Sequence, residues 1–146
     1  MKSIAYLLAI VAVLAAPLSA EPLPPATVVR IDVTNASNTC VWVSLYLRRN
    51  QTPWQMETAS DSAPRNLKAG SRHTFYVRFT NSFNVPLPAE IKALVAFKSA
   101  ADCSGSVTAS KYANTQVFAG HVLETVDLKS TLSGPPYEVS ISNALL

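Results

Sequence analysis

At 146 residues the chain has room for one ordinary domain built on one hydrophobic core. Its 12 Lys and Arg stand against 9 Asp and Glu, a formal net charge of +3 that is too small and too evenly spread to mark a nucleic-acid binder. The 4 glycines, none paired with another, leave no phosphate-cradling loop.

The N-terminus comes first. Met1-Lys2 precedes an apolar run from Ile4 to Leu14, and small residues follow at Leu18-Ser19-Ala20. One positive charge, a short hydrophobic stretch and a small-residue cleavage site form a secretory signal peptide over 1–20, with position 20 an alanine and not the cysteine of a lipoprotein signal. The run is shorter than the roughly 20 residues a spanning helix needs, and nothing later approaches that length. The expected mature protein is therefore residues 21–146, a single domain with no membrane span once the signal is removed, secreted or periplasmic.

After Glu21, the prolines Pro22, Pro24 and Pro25 read as an extended lead-in, because proline gives no ladder hydrogen bond. Period-two alternation then sets in. Residues 27–35 put Val29, Ile31 and Val33 on one face and Arg30, Asp32 and Thr34 on the other. Residues 40–50 differ, being apolar on both faces: Val41, Val43, Leu45 and Leu47 alternate with Cys40, Trp42, Ser44 and Tyr46. A polar, irregular segment over 50–72, with Pro53, Ser60, Asp61, Ser62 and Pro64, holds one short candidate strand at 54–58. Phe75, Val77 and Phe79 alternate over 73–80, and Ile91, Ala93, Val95 and Phe97 over 91–97, with Lys92 and Lys98 toward solvent. A helix over 89–101 is the rival there, since its alanines weaken the strand reading. Short runs follow at 111–118, at 122–128, where Glu124 falls on the face of Val122, Val126 and Leu128, and at 137–142. Turn-forming residues separate the runs at 35–38, 69–71, 81–88, 102–105 and 133–136.

Many short strands, turn punctuation and no capped helical period give an all-β fold. The expectation is an antiparallel β-sandwich of about seven to eight strands, resembling immunoglobulin-like or C2-like domains in general architecture alone. An oxidising compartment lets Cys40 and Cys103 pair, and neither the cysteines nor His73 and His121 stand in a metal-ligand pattern. No metal or cofactor is expected.

On the 40–50 strand the aliphatic row is the better core, because the other row carries an indole N–H, a phenol and a serine that each want a partner. Trp42 and Tyr46 would then point outward, with the 101–105 turn drawn over them by the disulfide. The opposite registration, with Trp42 inside against the disulfide, follows from a one-residue flip that sequence does not decide. With Trp54, Arg48 and Arg49 nearby, Trp42, Tyr46, Arg48 and Trp54 form a candidate binding surface: flat stacking area and cations for a protein or glycan.

Catalysis has less behind it. His73, His121, Asp61, Asp102 and Asp127 accompany no nucleophile motif, Glu57, Glu90, Glu124 and Glu138 are scattered, and each histidine reads as a solvated or capping residue at a strand start. Two triplets, Asn35-Ala36-Ser37 and Asn50-Gln51-Thr52, match the N-glycosylation acceptor. The expected function is a non-enzymatic binding or interaction module using the aromatic surface and loops. The alternative is a structural or assembly subunit of an envelope or surface complex pairing through a sheet edge, with a small secreted hydrolase behind both.

Overall fold

The structure, a computed structural model, describes residues 26–49, 51–80, 88–118 and 124–144. The expected signal peptide, Asn50, His121 and Val122 lie outside these residues. The described residues contain strands and no helix: β1 (Ala26–Asn35), β2 (Val41–Arg49), β3 (Gln55–Met56), β4 (Arg65–Leu67), β5 (Arg72–Thr80), β6 (Pro88–Lys98), β7 (Val107–Phe118), β8 (Glu124–Ser133) and β9 (Glu138–Asn143). These nine exceed the seven or eight expected because the 50–72 segment contributes, besides the short strand expected at 54–58, the three-residue β4. No helix among the described residues is long and apolar enough to cross a membrane.

The strands form two sheets that pack as a sandwich. In the first the order is β5-β1-β8-β9, and β1, carrying Val29, Ile31 and Val33 inward, sits between two partners. It runs antiparallel to β5, with Ile31 beside Phe75, and parallel to β8, with Ile31 beside Leu128. The parallel pair departs from the all-antiparallel expectation. In the second sheet the order is β3-β2-β6-β7, and β4 joins the same edge of β2 as β3 does, opposite Val41–Val43 where β3 lies opposite Tyr46 and Leu47.

Between the sheets lies one core. Val29, Ile31, Val33, Phe75, Val77, Leu128 and Leu132 from the first sheet meet Val41, Val43, Leu45, Ile91, Val95 and Phe97 from the second, all essentially removed from water. At about 25 cal/mol per Å² of apolar area, burying side chains of this size is the main stabilising contribution. The 89–98 segment is strand throughout. Its alanines fit because Leu45 lies beside Ala93, which in turn lies beside Ala113, so one long side chain of β2 occupies the space above two short ones.

Asn35, at the end of β1, is a buried polar junction. Its Nδ2 donates to the carbonyls of Thr39 (2.9 Å), Leu67 (3.0 Å) and Lys68 (3.1 Å), while Oδ1 accepts from the Ser37 N–H (3.1 Å) and hydroxyl (2.6 Å). One amide thereby fastens the β1–β2 turn to the end of β4, which is the way a buried polar group must be accommodated. An amide fully enclosed and spent on carbonyls is out of reach of a glycosyl donor, so the Asn35 triplet is closed in the folded chain.

The segment after β3 closes one flank of the sandwich. The Glu57 N–H donates to the Leu45 carbonyl (2.8 Å), a turn forms where Ser62 and Ala63 donate to Ala59, and the Asp61 carbonyl accepts from the Tyr76 N–H on the edge of β5 (3.0 Å). Asp61 also pairs with Arg78 at 3.1 Å. On the opposite flank β7 and β9 border an open groove of about 360 Å³ lined by Lys111, Tyr112, Thr131, Tyr137 and Glu138 among others.

Candidate functional site

Cys40 and Cys103 form a disulfide, with Cα atoms 5.0 Å apart across 63 positions. Cys40 is buried just ahead of β2, its N–H donating to the Ala100 carbonyl and its carbonyl accepting from the Lys98 N–H (2.8 Å). Cys103 adopts φ +74°, a left-handed conformation rare for a residue with a Cβ, within a turn where Lys98 Nζ donates to its carbonyl (2.9 Å). Asp102 accepts from the Ser104 hydroxyl (2.6 Å) and N–H (3.0 Å), which holds its carboxyl below the usual range. At Gly105 a Cβ would collide with the Ser99 hydroxyl and lie 2.6 Å from the Ala100 nitrogen, so the turn needs glycine there.

This end fixes the registration of β2. Val41, Val43 and Leu45 face the core, and Trp42 keeps 39% of its surface exposed. The flipped registration is not the one adopted. Ser44 shares the outward row yet is nearly covered, flanked along the strand by Trp42 and Tyr46 and across it by Leu94.

Pairing registers then assemble the outer face of the second sheet. Across β2, β6 and β7 the outward rows are Arg48, Glu90 and Gln116; Tyr46, Lys92 and Asn114; Ser44, Leu94 and Tyr112; and Trp42, Ala96 and Ser110. Met56 stands opposite Tyr46 and Asn66 opposite Trp42 on the flanking short strands. Tyr112 is 66% exposed and Met56 47%, so with Trp42 the face presents three exposed large apolar groups.

At its centre is Lys92. Its ammonium lies 4.6 Å from the centroid of the Trp54 ring, 5.1 Å from that of Tyr46 and 5.9 Å from that of Tyr112. The Arg48 guanidinium also stands over Trp54, at 4.5 Å, and hydrogen-bonds Glu90, which lowers the Glu90 carboxyl and raises Arg48. Cations held this way are attracted by the negative faces of the rings. No carboxylate among the described residues pairs with Lys92, whereas Arg48 is neutralised by its partner.

Of the residues expected to form a binding surface, Tyr46, Arg48 and Trp54 come together, and Trp42 shares the face two rows beyond Tyr46, past Ser44; the Arg49 side chain lies outside the description. Sequence reading missed Lys92, Tyr112, Met56 and Leu94. The alternation that sends Val95 inward sends Leu94 and Lys92 outward, so their direction was readable. Their adjacency to Tyr46 and Tyr112 depends on pairing register and was not.

The first sheet offers a contrast. Its outer face is an ion-pair network: Arg30 with Asp127 at 2.9 Å, Arg72 with Asp32 at 3.6 Å, and the Thr74 hydroxyl donating to Asp32 at 2.6 Å. That hydrogen bond, together with Arg30 and Arg72, lowers the Asp32 carboxyl against the opposing effect of burial. His73 is not solvated as expected. It is half-buried with its ring edge-on to Phe75 at 4.7 Å, and burial, aided by Arg65, depresses its pKa. Glu124 is the first residue of β8, and its side chain lies outside the description. Among the described residues no three His, Cys, Asp or Glu side chains converge as a metal site.

No family model matches the chain, and no curated protein matches it.

Proposed function

We propose that the protein is a non-enzymatic binding module, secreted or periplasmic, whose contact surface is the outer face of β2, β6 and β7. The observation that carries the reading is the cluster of Trp54, Tyr46 and Tyr112 around Lys92, with Trp42 and Met56 exposed beside it. Exposed aromatics gathered with cations on a rigid sheet are the side chains that most often dominate binding, and rings packed by cations lose little freedom when a ligand arrives. The disulfide fits export into an oxidising compartment. In fold terms the reading takes the sandwich as immunoglobulin-like or C2-like in the broad sense, a class that serves many binding functions.

The assembly reading has less support. β7 presents its outer edge without a partner among the described residues, but Lys111 occupies a core-facing position on it and the register shifts between Phe97 and Lys98, where β7 begins. An inward-positioned charge and a bulge are devices that discourage edge-to-edge pairing.

The test compares wild type with Trp42→Ala and Tyr112→Ala, using Tyr76→Ala, an exposed aromatic on the opposite sheet, as control. Each is applied to a glycan array and to a display of extracellular proteins, with folding followed by circular dichroism. Loss of capture in the first two variants and retention in the third supports the reading. Capture that survives both face substitutions overturns it.

A further inference from the structure

The geometry points to an acidic glycan chain as the ligand of this face, its anionic group meeting Lys92 and its sugar rings lying on the shelf between Trp42 and Tyr112. The inference rests on the binding reading above and names the class of ligand.

The shape of the face comes first. Trp42 and Tyr112 are two strands apart and offset by one outward row. With strands about 4.8 Å apart and about 6.8 Å per two residues, their Cα atoms stand roughly 12 Å apart. Between them the outward side chains are Ser44, Ala96, Ser110 and Leu94, three of which are short. An exposed aromatic thus rises at each end of a low floor, a length suited to a short run of sugars stacking their C–H faces on the rings. Asn66, Asn114 and Gln116 stand exposed at the borders, amides able to donate to and accept from hydroxyls.

The size favours a narrow ligand over a broad partner. Four outward rows on β2, β6 and β7, with the flanking short strands, cover about 15 Å by 20 Å in plan. A stable protein interface needs about 800 Å² on each partner. A narrow chain ligand matches the smaller footprint.

Charge then selects among glycans. Arg48 is satisfied by Glu90, and Lys98, one row past Ala96, donates to the Cys103 carbonyl, so within the four rows the positive charge that no carboxylate among the described residues offsets is Lys92. Its ammonium has three donors, and the aromatic faces that hold it occupy none of them as conventional hydrogen-bond acceptors. Approach of a sugar carboxylate or sulfate completes the pair in a setting partly shielded from water, where attraction is stronger than at an open surface.

The experiment uses oligogalacturonate, its methyl-esterified uncharged counterpart, and an array of uronic, sulfated and neutral oligosaccharides, with affinities from calorimetry. The wild type should prefer acidic over neutral chains by about tenfold, and the preference should weaken as salt rises. Lys92→Gln should abolish the preference, Lys92→Arg should restore it, and Tyr112→Ala should weaken every glycan. Equal binding of charged and uncharged chains, unchanged in Lys92→Gln, overturns the acidic assignment and leaves the binding face standing. A blank array, alongside an extracellular protein whose capture depends on Trp42 and Tyr112, overturns the glycan assignment while the face again survives. If neither face substitution affects any capture, the reading of the face itself falls and takes this inference with it.

Discussion

Replacing Leu45 by alanine is the sharpest check on which way β2 faces. Leu45 is fully buried, and its neighbour across β6 is Ala93, followed on β7 by Ala113. The substitution would leave three alanine side chains abreast in the register, so the neighbours within that row are too short to fill the gap. The lost carbons account for about 2.5 kcal/mol, taking about 0.8 kcal/mol per buried CH₂. A residual void of roughly 40 Å³ adds about 1 kcal/mol at about 24 cal/mol per Å³. The expected loss is therefore about 3.5 kcal/mol, or a fall in melting temperature of about 14 °C for a domain of this size. Tyr112 supplies the comparison. It buries only about a third of its side chain, roughly 60 Å², and solvent fills the space it vacates, so Tyr112→Ala should cost about 1 kcal/mol. Urea and thermal denaturation of both variants decide the matter. Equal losses, or a larger loss for Tyr112→Ala, would mean that the aliphatic row is not the core.

Reduction of the Cys40–Cys103 bond, or Cys40→Ser with Cys103→Ser, should destabilise the protein by about 4 kcal/mol, the chain-entropy value for a loop of 63 residues; an unchanged urea midpoint in the double variant would refute this. Asn35→Asp is a small change in shape that sets a carboxylate against three backbone carbonyls, and it should cost about 3 kcal/mol or more, exceeding Asn35→Ala; equal stability of Asn35→Asp and wild type would refute the hydrogen-bond assignment. Stability should fall with acid in two stages. His73, depressed by burial, favours the folded state fully above its unfolded pKa of about 6.5, and that contribution is lost as pH drops below this value toward the folded pKa; Asp32, depressed by Thr74 and its arginines, contributes above about pH 4 and ceases to do so as pH falls through its lowered pKa. Denaturant titrations across pH should show the upper stage absent in His73→Gln and the lower stage absent in Asp32→Asn.

Strand existence was legible wherever one face was apolar and the other polar, as in β1 and β5, because alternation follows directly from the pleat. It was legible even over 89–98, where valine, isoleucine and phenylalanine at every second position outweighed alanine propensity. What escaped reading was everything set by partners distant in sequence. β4 is too short for periodicity and exists because β2 offers it an edge, whereas β3 falls inside the short strand expected at 54–58. The parallel pairing of β1 with β8 leaves no mark in either segment. The binding face was half legible for the same reason: β2 announces Trp42 and Tyr46 by its second apolar row, but Lys92 and Tyr112 belong to the cluster only through the β2–β6 and β6–β7 registers. His73 reads from sequence as a solvated or capping residue at a strand start because its partial burial comes from packing, not from neighbours in sequence.

β1 occupies the middle of its sheet although it is the first strand of the chain. Val29 must await Val77 on one side and Val126 on the other. During synthesis β1 can pair with β5 once about 80 residues have emerged, but its other edge stays open until β8 follows β6 and β7, late in the chain. Closing such long loops makes folding slow and all-or-none at the end. A chain shortened before β8 would carry a sheet reduced to β5 and β1, with an apolar strand edge open to other molecules.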